Sequence, residues 1–257
     1  MIGLVIVGVA FSQNSKEDFY VYTKDWSPAK NLVAATFIMH QIAENDTTYI
    51  KRYYQKNGPL IFWETYYDKD CTIPDGLFAW YNTKGDLDST GNCYRGKKTG
   101  LWKYGFDKKN RPFIVEEYAK GKLIKRMDFK VMKIFFPNGI EEILDTSSSK
   151  SSAVKPPEFE NGGINGWVNY LSNNLKTPNR FMSLTKSGIM TSAFVEFEIN
   201  TDGKIKDLLF YHSLEWSADL EVIRVLRASP RWIPAEIDGK LIQYAYGQQI
   251  SFSIKDY

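Results

Sequence analysis

The sequence predicts an α+β protein: an N-terminal part that is mostly antiparallel β, and a C-terminal part that runs helix, strand, strand, helix, strand. Three observations predict this. From Ile50 to Ile124 aromatic residues alternate with glycine-marked turns, as short antiparallel strands require. Ile164, Trp167, Val168, Tyr170, Leu171 and Leu175 fall on one helical stripe. Near the end, Ile242, Tyr244, Tyr246, Ile250, Phe252 and Ile254 share one strand face, interrupted only by Gln248, while Gln243, Ala245, Gly247, Gln249, Ser251 and Ser253 make a small or polar opposite face.

Taken in order, the chain opens with MIGLVIVGVAF followed by Ser12 and Gln13. This has the apolar centre and small-residue end of a secretory signal peptide, without its basic start, and residues 1–13 are read as that signal. The run is short of the roughly 20 residues that span a bilayer as a helix, so the competing reading is a short buried strand. No cysteine follows, which gives no support to a lipid anchor.

Residues 14–144 are expected to form a β-rich domain. Lys30 to Glu44 fits either a short helix or a strand followed by a turn, and His40 within it reads as structural. Shifting the sequence by about 24 residues lays Gly76-Leu77-Phe78-Ala79-Trp80-Tyr81 on Gly100-Leu101-Trp102-Lys103-Tyr104, and Tyr94-Arg95-Gly96-Lys97 on Tyr118-Ala119-Lys120-Gly121-Lys122. Each unit reads as a hairpin that must stack on the next, because one hairpin alone buries too little. Lys125 to Phe136 is a further strand, closed by the turn Pro137-Asn138-Gly139.

Asp145 to Pro157, DTSSSKSSAVKPP, has no large apolar group except Val154, so residues 145–156 are read as a linker and 157–257 as a second domain. There, Gly162-Gly163 precedes the helical stripe but lacks the Lys-Ser/Thr of a phosphate loop, so it reads as a helix start. Thr177-Pro178 stops that helix. Ala193, Val195, Phe197 and Ile199 alternate with Glu196 and Glu198 as a half-buried strand, and Asn200-Thr201-Asp202-Gly203 turns the chain into a returning strand from Lys204 to Tyr211. Ser217 is placed to cap a helix lined by Leu220, Ile223 and Leu226. The Asp238-Gly239 turn leads into the final strand, which at this length is expected to outreach its neighbours and leave backbone groups unpaired along an edge.

Composition bounds the function. The 257 residues carry 33 basic and 30 acidic side chains, interspersed, for a formal charge of +3, which gives no support to a nucleic-acid surface. The only histidines, His40 and His212, fall in different predicted domains, and no metal-ligand spacing, C-x-x-C or G-x-S-x-G is present. The chain is therefore read as not an enzyme, with no cofactor and no metal site. Cys71 and Cys93 permit a single disulfide in an exported chain, or stand as two unpaired thiols.

Two resemblances follow. Tyr94, Gly96, Gly100, Trp102 and Tyr104 match the tyrosine, glycine, glycine, tryptophan and tyrosine of variant MORN-type repeats, over about two imperfect units; that resemblance implies a sheet scaffold or a binding surface. Residues Pro157 to Ile254 resemble the C-terminal domain of TonB-type energy transducers. The matching positions are Pro157-Glu158-Phe159, Gly162-Gly163, Pro178, Val195-Glu196-Phe197, Asp202-Gly203-Lys204, Pro230-Arg231-Trp232-Ile233-Pro234-Ala235, Asp238-Gly239-Lys240 and Ile250-Ser251-Phe252. The chain departs from that pattern at Thr177-Pro178, where the family has Tyr-Pro, and at Met190-Thr191, where it has a glycine.

The TonB-type resemblance implies a periplasmic domain of a Gram-negative cell, linked to transmembrane transport. It implies an outer-membrane receptor or other envelope protein as partner, paired through the last strand by strand addition. Carried onto this sequence, the pairing segment is Gln243, Ala245, Gly247, Gln248 and Gln249. A membrane helix and a stiff spacer are not visible, and a fully extended linker reaches roughly 40 Å. The expectation is therefore an exported binding protein that does not transmit force; the alternatives are a true transducer whose anchor lies upstream, or an envelope scaffold. Pairing of the last strand with a second copy competes with receptor binding.

Overall fold

The computed structural model describes residues 17–145, 154–186 and 188–253. The expected signal at 1–13, most of the expected linker and Ile254 lie outside the described residues. The chain divides into two compact units, Met1–Asp145 and Thr146–Tyr257.

The first unit is one antiparallel sheet of eleven strands, each hydrogen-bonded to the next in sequence. They are β1 (Glu17–Tyr22), β2 (Phe37–Asn45), β3 (Thr48–Gln55), β4 (Leu60–Tyr66), β5 (Gly76–Tyr81), β6 (Leu87–Tyr94), β7 (Lys97–Phe106), β8 (Pro112–Ala119), β9 (Lys122–Asp128), β10 (Lys133–Phe135) and β11 (Glu141–Ile143). The hairpins expected from the repeat are present. Tyr94 pairs with Lys97 and Ala119 with Lys122, leaving Arg95-Gly96 and Lys120-Gly121 as two-residue turns with all four residues at positive φ. That is the turn whose twist matches paired strands, and the second position in each is glycine because it carries the larger positive φ.

Two expectations resolve here. In the Lys30–Glu44 stretch the strand β2 begins only at Phe37, after bends and turns, and Lys125–Phe136 splits into β9 and β10. One sheet face carries Ile38, His40, Ile42, Ile50, Arg52, Tyr54 and Trp63, all buried. Burial fades along the sheet until every residue of β11 is exposed. Phe78 and Trp102, matched by the 24-residue shift, are buried on the opposite face. Cys71 and Cys93 are both free, half-buried thiols, with burial pushing each pKa up.

The second unit holds short strands β12 (Val154–Lys155) and β13 (Glu158–Phe159), helix α1 (Gly163–Asn174), helix α2 (Asn179–Leu184), strands β14 (Met190–Ile199) and β15 (Ile205–His212), and helix α3 (Trp216–Arg227). Short strands β16 (Trp232–Ile233), β17 (Ala235–Ile237) and β18 (Lys240–Ile242) lead to β19 (Tyr244–Ser253). This is richer than the five elements the sequence predicts: α2 and the short strands were not legible in it. The main sheet has the order β15-β14-β19, all antiparallel, with α3 packed on β15.

Local chemistry explains the ends. Leu175 closes α1 in an extended conformation ahead of Pro178. Helix α3 is capped by Glu215, not Ser217: the Glu215 carboxylate accepts from the Ser217 backbone N–H at 2.8 Å and pairs with Arg180 at 2.7 Å. Buried Asp219 accepts from Ser213 Oγ at 2.5 Å and from the Leu214 N–H at 3.1 Å, which fixes the same turn.

The core of this unit is aromatic. Trp232 sits 5.0 Å from Trp167, 5.5 Å from Phe159 and 5.1 Å from Tyr246, measured between ring centroids. Beneath them Ala193, Val195, Phe197 and Ile199 of β14 are fully buried, as their alternation predicts.

Candidate functional site

Among the described residues the main sheet of the second unit has two edge strands, β15 and β19, and the longer of them is β19. Ten consecutive pairs, from Met190↔Ser253 to Ile199↔Tyr244, join β19 to β14 without a register shift. The expectation that β19 outreaches its neighbours is corrected: β14 is also ten residues long and pairs along all of it. The unpaired groups therefore lie along the far side of β19, which is the last strand of its sheet among the described residues.

Side-chain alternation holds β19 in place. Ile250 and Phe252 are buried, Tyr246 stacks on Phe197 at 5.4 Å, and Ala245, Gly247, Gln249, Ser251 and Ser253 are exposed. Gln248, the polar interruption of the apolar face, points inward: its Oε1 accepts the indole N–H of Trp167 at 2.8 Å. Trp167 is 1% exposed, so the amide supplies the partner that a buried indole needs. The long strand is thus pinned to α1 by a polar contact at its middle.

The five residues of the expected pairing segment separate into three roles. Ala245, Gly247 and Gln249 lie on the outer, exposed face. Gln248 belongs to the strand but its side chain is committed to Trp167. Gln243 falls between β18 and β19, where its side-chain amide lies 3.2 Å from that of Asn200.

On the outer face Ser192 and Ser251 share a 2.7 Å hydrogen bond, and Phe194 meets Tyr211 edge-on at 5.8 Å. Burial pushes the Tyr211 pKa up, and the nearby Glu196 carboxylate, which accepts its hydroxyl hydrogen, adds to this. Gly247 lies under Phe194: a Cβ there would be 3.0 Å from the ring tip, which would have to give by a few tenths of an ångström.

Edge strands in natural sheets are blunted by charge, proline, bulges or shortness. None of these is found in Tyr244–Ser253, which has no charged residue, no proline and an uninterrupted register. Chemically, the arrangement offers alternating N–H donors and C=O acceptors in a row, with no reactive side chain. No set of three or more His, Cys, Asp or Glu placed to hold a metal occurs among the described residues, and none of the described helices is long and apolar enough to cross a membrane.

No family model, curated protein or solved structure matches this chain.

Proposed function

We propose that this chain is an exported binding protein of the cell envelope that takes up an extended segment of an outer-membrane receptor or periplasmic partner along β19, by strand addition, without itself transmitting force. The observation that carries this is the unguarded ten-residue edge of β19. Main-chain hydrogen bonds along such an edge supply affinity, while the side chains on its two faces set register. The resemblance of Pro157–Ile254 to TonB-type C-terminal domains supports the same role, and the eleven-stranded hairpin sheet serves as a scaffold in it.

The test is recovery of partners from detergent-solubilised envelope by the full chain and by its Gly247→Pro variant, with folding of both checked by circular dichroism. Proline at 247 removes a backbone donor and fixes φ in mid-strand. Recovery of an outer-membrane β-barrel receptor by the wild type and its loss in the folded variant is the expected result. Equal recovery by both, or recovery of no envelope protein, would refute the reading.

A further inference from the structure

We propose that the segment taken up along β19 presents large apolar side chains at alternate positions to an uncovered flank of α1, so that α1 and β19 form two walls of one site. This rests on the pairing-edge reading above and adds the chemistry of the occupant.

Successive helix residues advance about 100°, so with Trp167 at the centre, Gly163 and Tyr170 fall on one side, and Leu171, Ile164 and Val168 on the other, at about 40°, 60° and 100°. The second side is covered only in part: Leu171 is half-buried, whereas Ile164 and Val168 are exposed. Tyr170 stacks beside Trp167 and its hydroxyl donates to the Val225 carbonyl of α3 at 2.9 Å, so the first side faces α3. Trp167 points down to Gln248 of β19. Because α3 packs on β15, at the opposite edge of the sheet from β19, the flank that faces away from α3 is on the β19 side of α1.

That flank is apolar and bare. Ile164 is 62% exposed and Val168 53% exposed, one helical turn apart. Neither α1 nor β19 contains a charged residue. An added strand would lie about 4.8 Å outside β19, with every second side chain directed to the helix side of the sheet. Those side chains meet Ile164 and Val168, while the intervening ones lie beside Ala245, Gly247 and Gln249, on the face that carries Phe194. The backbone edge thus calls for an extended segment, and the helix flank independently calls for apolar groups on one of its faces. Valine, isoleucine or a similar side chain at two alternate positions satisfies both.

The experiment titrates the full chain with two ten-residue peptides carrying terminal lysines. One has valine at alternate positions with threonine between; the other has serine in place of each valine. Affinity is read by calorimetry, and the site by loss of fast amide exchange along β19. Wild-type chain should bind the valine peptide tighter by about tenfold for each valine covered. The Ile164→Ser/Val168→Ser variant, altered only at exposed positions, should lose that preference while keeping the weaker affinity for the serine peptide. Equal affinity of wild type for the two peptides overturns this inference and leaves strand addition standing. Binding of neither peptide at β19 overturns both. Protection of the β19 amides without peptide, in a chain that sediments as a dimer, also overturns it by filling the edge with a second copy.

Discussion

Acidification offers a sharp test of how the first unit is assembled, because His40 is fully buried between two opposing influences. Its Nε2 lies 3.1 Å from the half-exposed Glu17 carboxylate, which favours the imidazolium; burial, and then the Arg52 guanidinium, disfavour it. Arg52 pairs across the strands with His40, is itself fully buried, and lies 4.0 Å over the Trp63 ring. Phe19 stacks on the imidazole at 4.4 Å, which removes water from its face. Burial and Arg52 win, holding the pKa down at about 3. The unfolded chain binds a proton near pH 6.5 and the folded chain does not, so His40 leaves stability intact above about pH 6.5 and subtracts from it increasingly as pH falls toward 3. Each pH unit in that window costs about 1.4 kcal/mol, so between pH 7 and pH 4.5 the loss is on the order of 2–3 kcal/mol. Urea unfolding of the wild type and of His40→Gln at both pH values isolates this share, since the carboxylates common to both cancel. The wild type should lose on the order of 2–3 kcal/mol more than the variant. Parallel losses would refute the reasoning, and a wild type that gains on acidification would mean that Glu17 dominates.

Further outcomes follow from close packing and from the Trp167 contact. In Gly91→Ala the new Cβ would lie 2.2 Å from the ring of buried Trp102, so the ring must leave its seat on β6; a loss of about 1–3 kcal/mol in urea unfolding is expected, largely relieved when Trp102→Ala is added. In Gln248→Leu the buried indole N–H of Trp167 loses its acceptor, which should cost about 1–3 kcal/mol and raise amide exchange across α1 and β19, whereas Gln248→Glu keeps the acceptor and should cost less.

Much of this architecture is legible in the residues, for identifiable reasons. Strand alternation and glycine turns are local signals, and they located the hairpins from β5 to β9, the pair β14–β15 and the inward face of β19. What was not legible depends on partners distant in sequence. Gln248 looks like a defect in the pattern of β19 until Trp167, far upstream, is seen to need an acceptor. Ser217 has the right chemistry for a helix cap, but Glu215 is drawn into that place by Arg180. The full pairing of β19 could not be read either, because strand length alone says nothing about the length of its neighbour, and β14 matches it residue for residue. Likewise the apolar stripe of α1 is plain in the sequence, but which of its flanks is covered depends on where α3 lies.

If one side of β19 is open and serves for pairing, residue-resolved amide exchange of the full chain will show it. Amides bonded to β14 should exchange slowly and those directed outward quickly, in strict alternation from Tyr244 to Ser253, and addition of a solubilised receptor that binds should slow the fast set. Uniform protection along β19 in the free monomeric chain, or a fast set that stays fast in the complex, would contradict it.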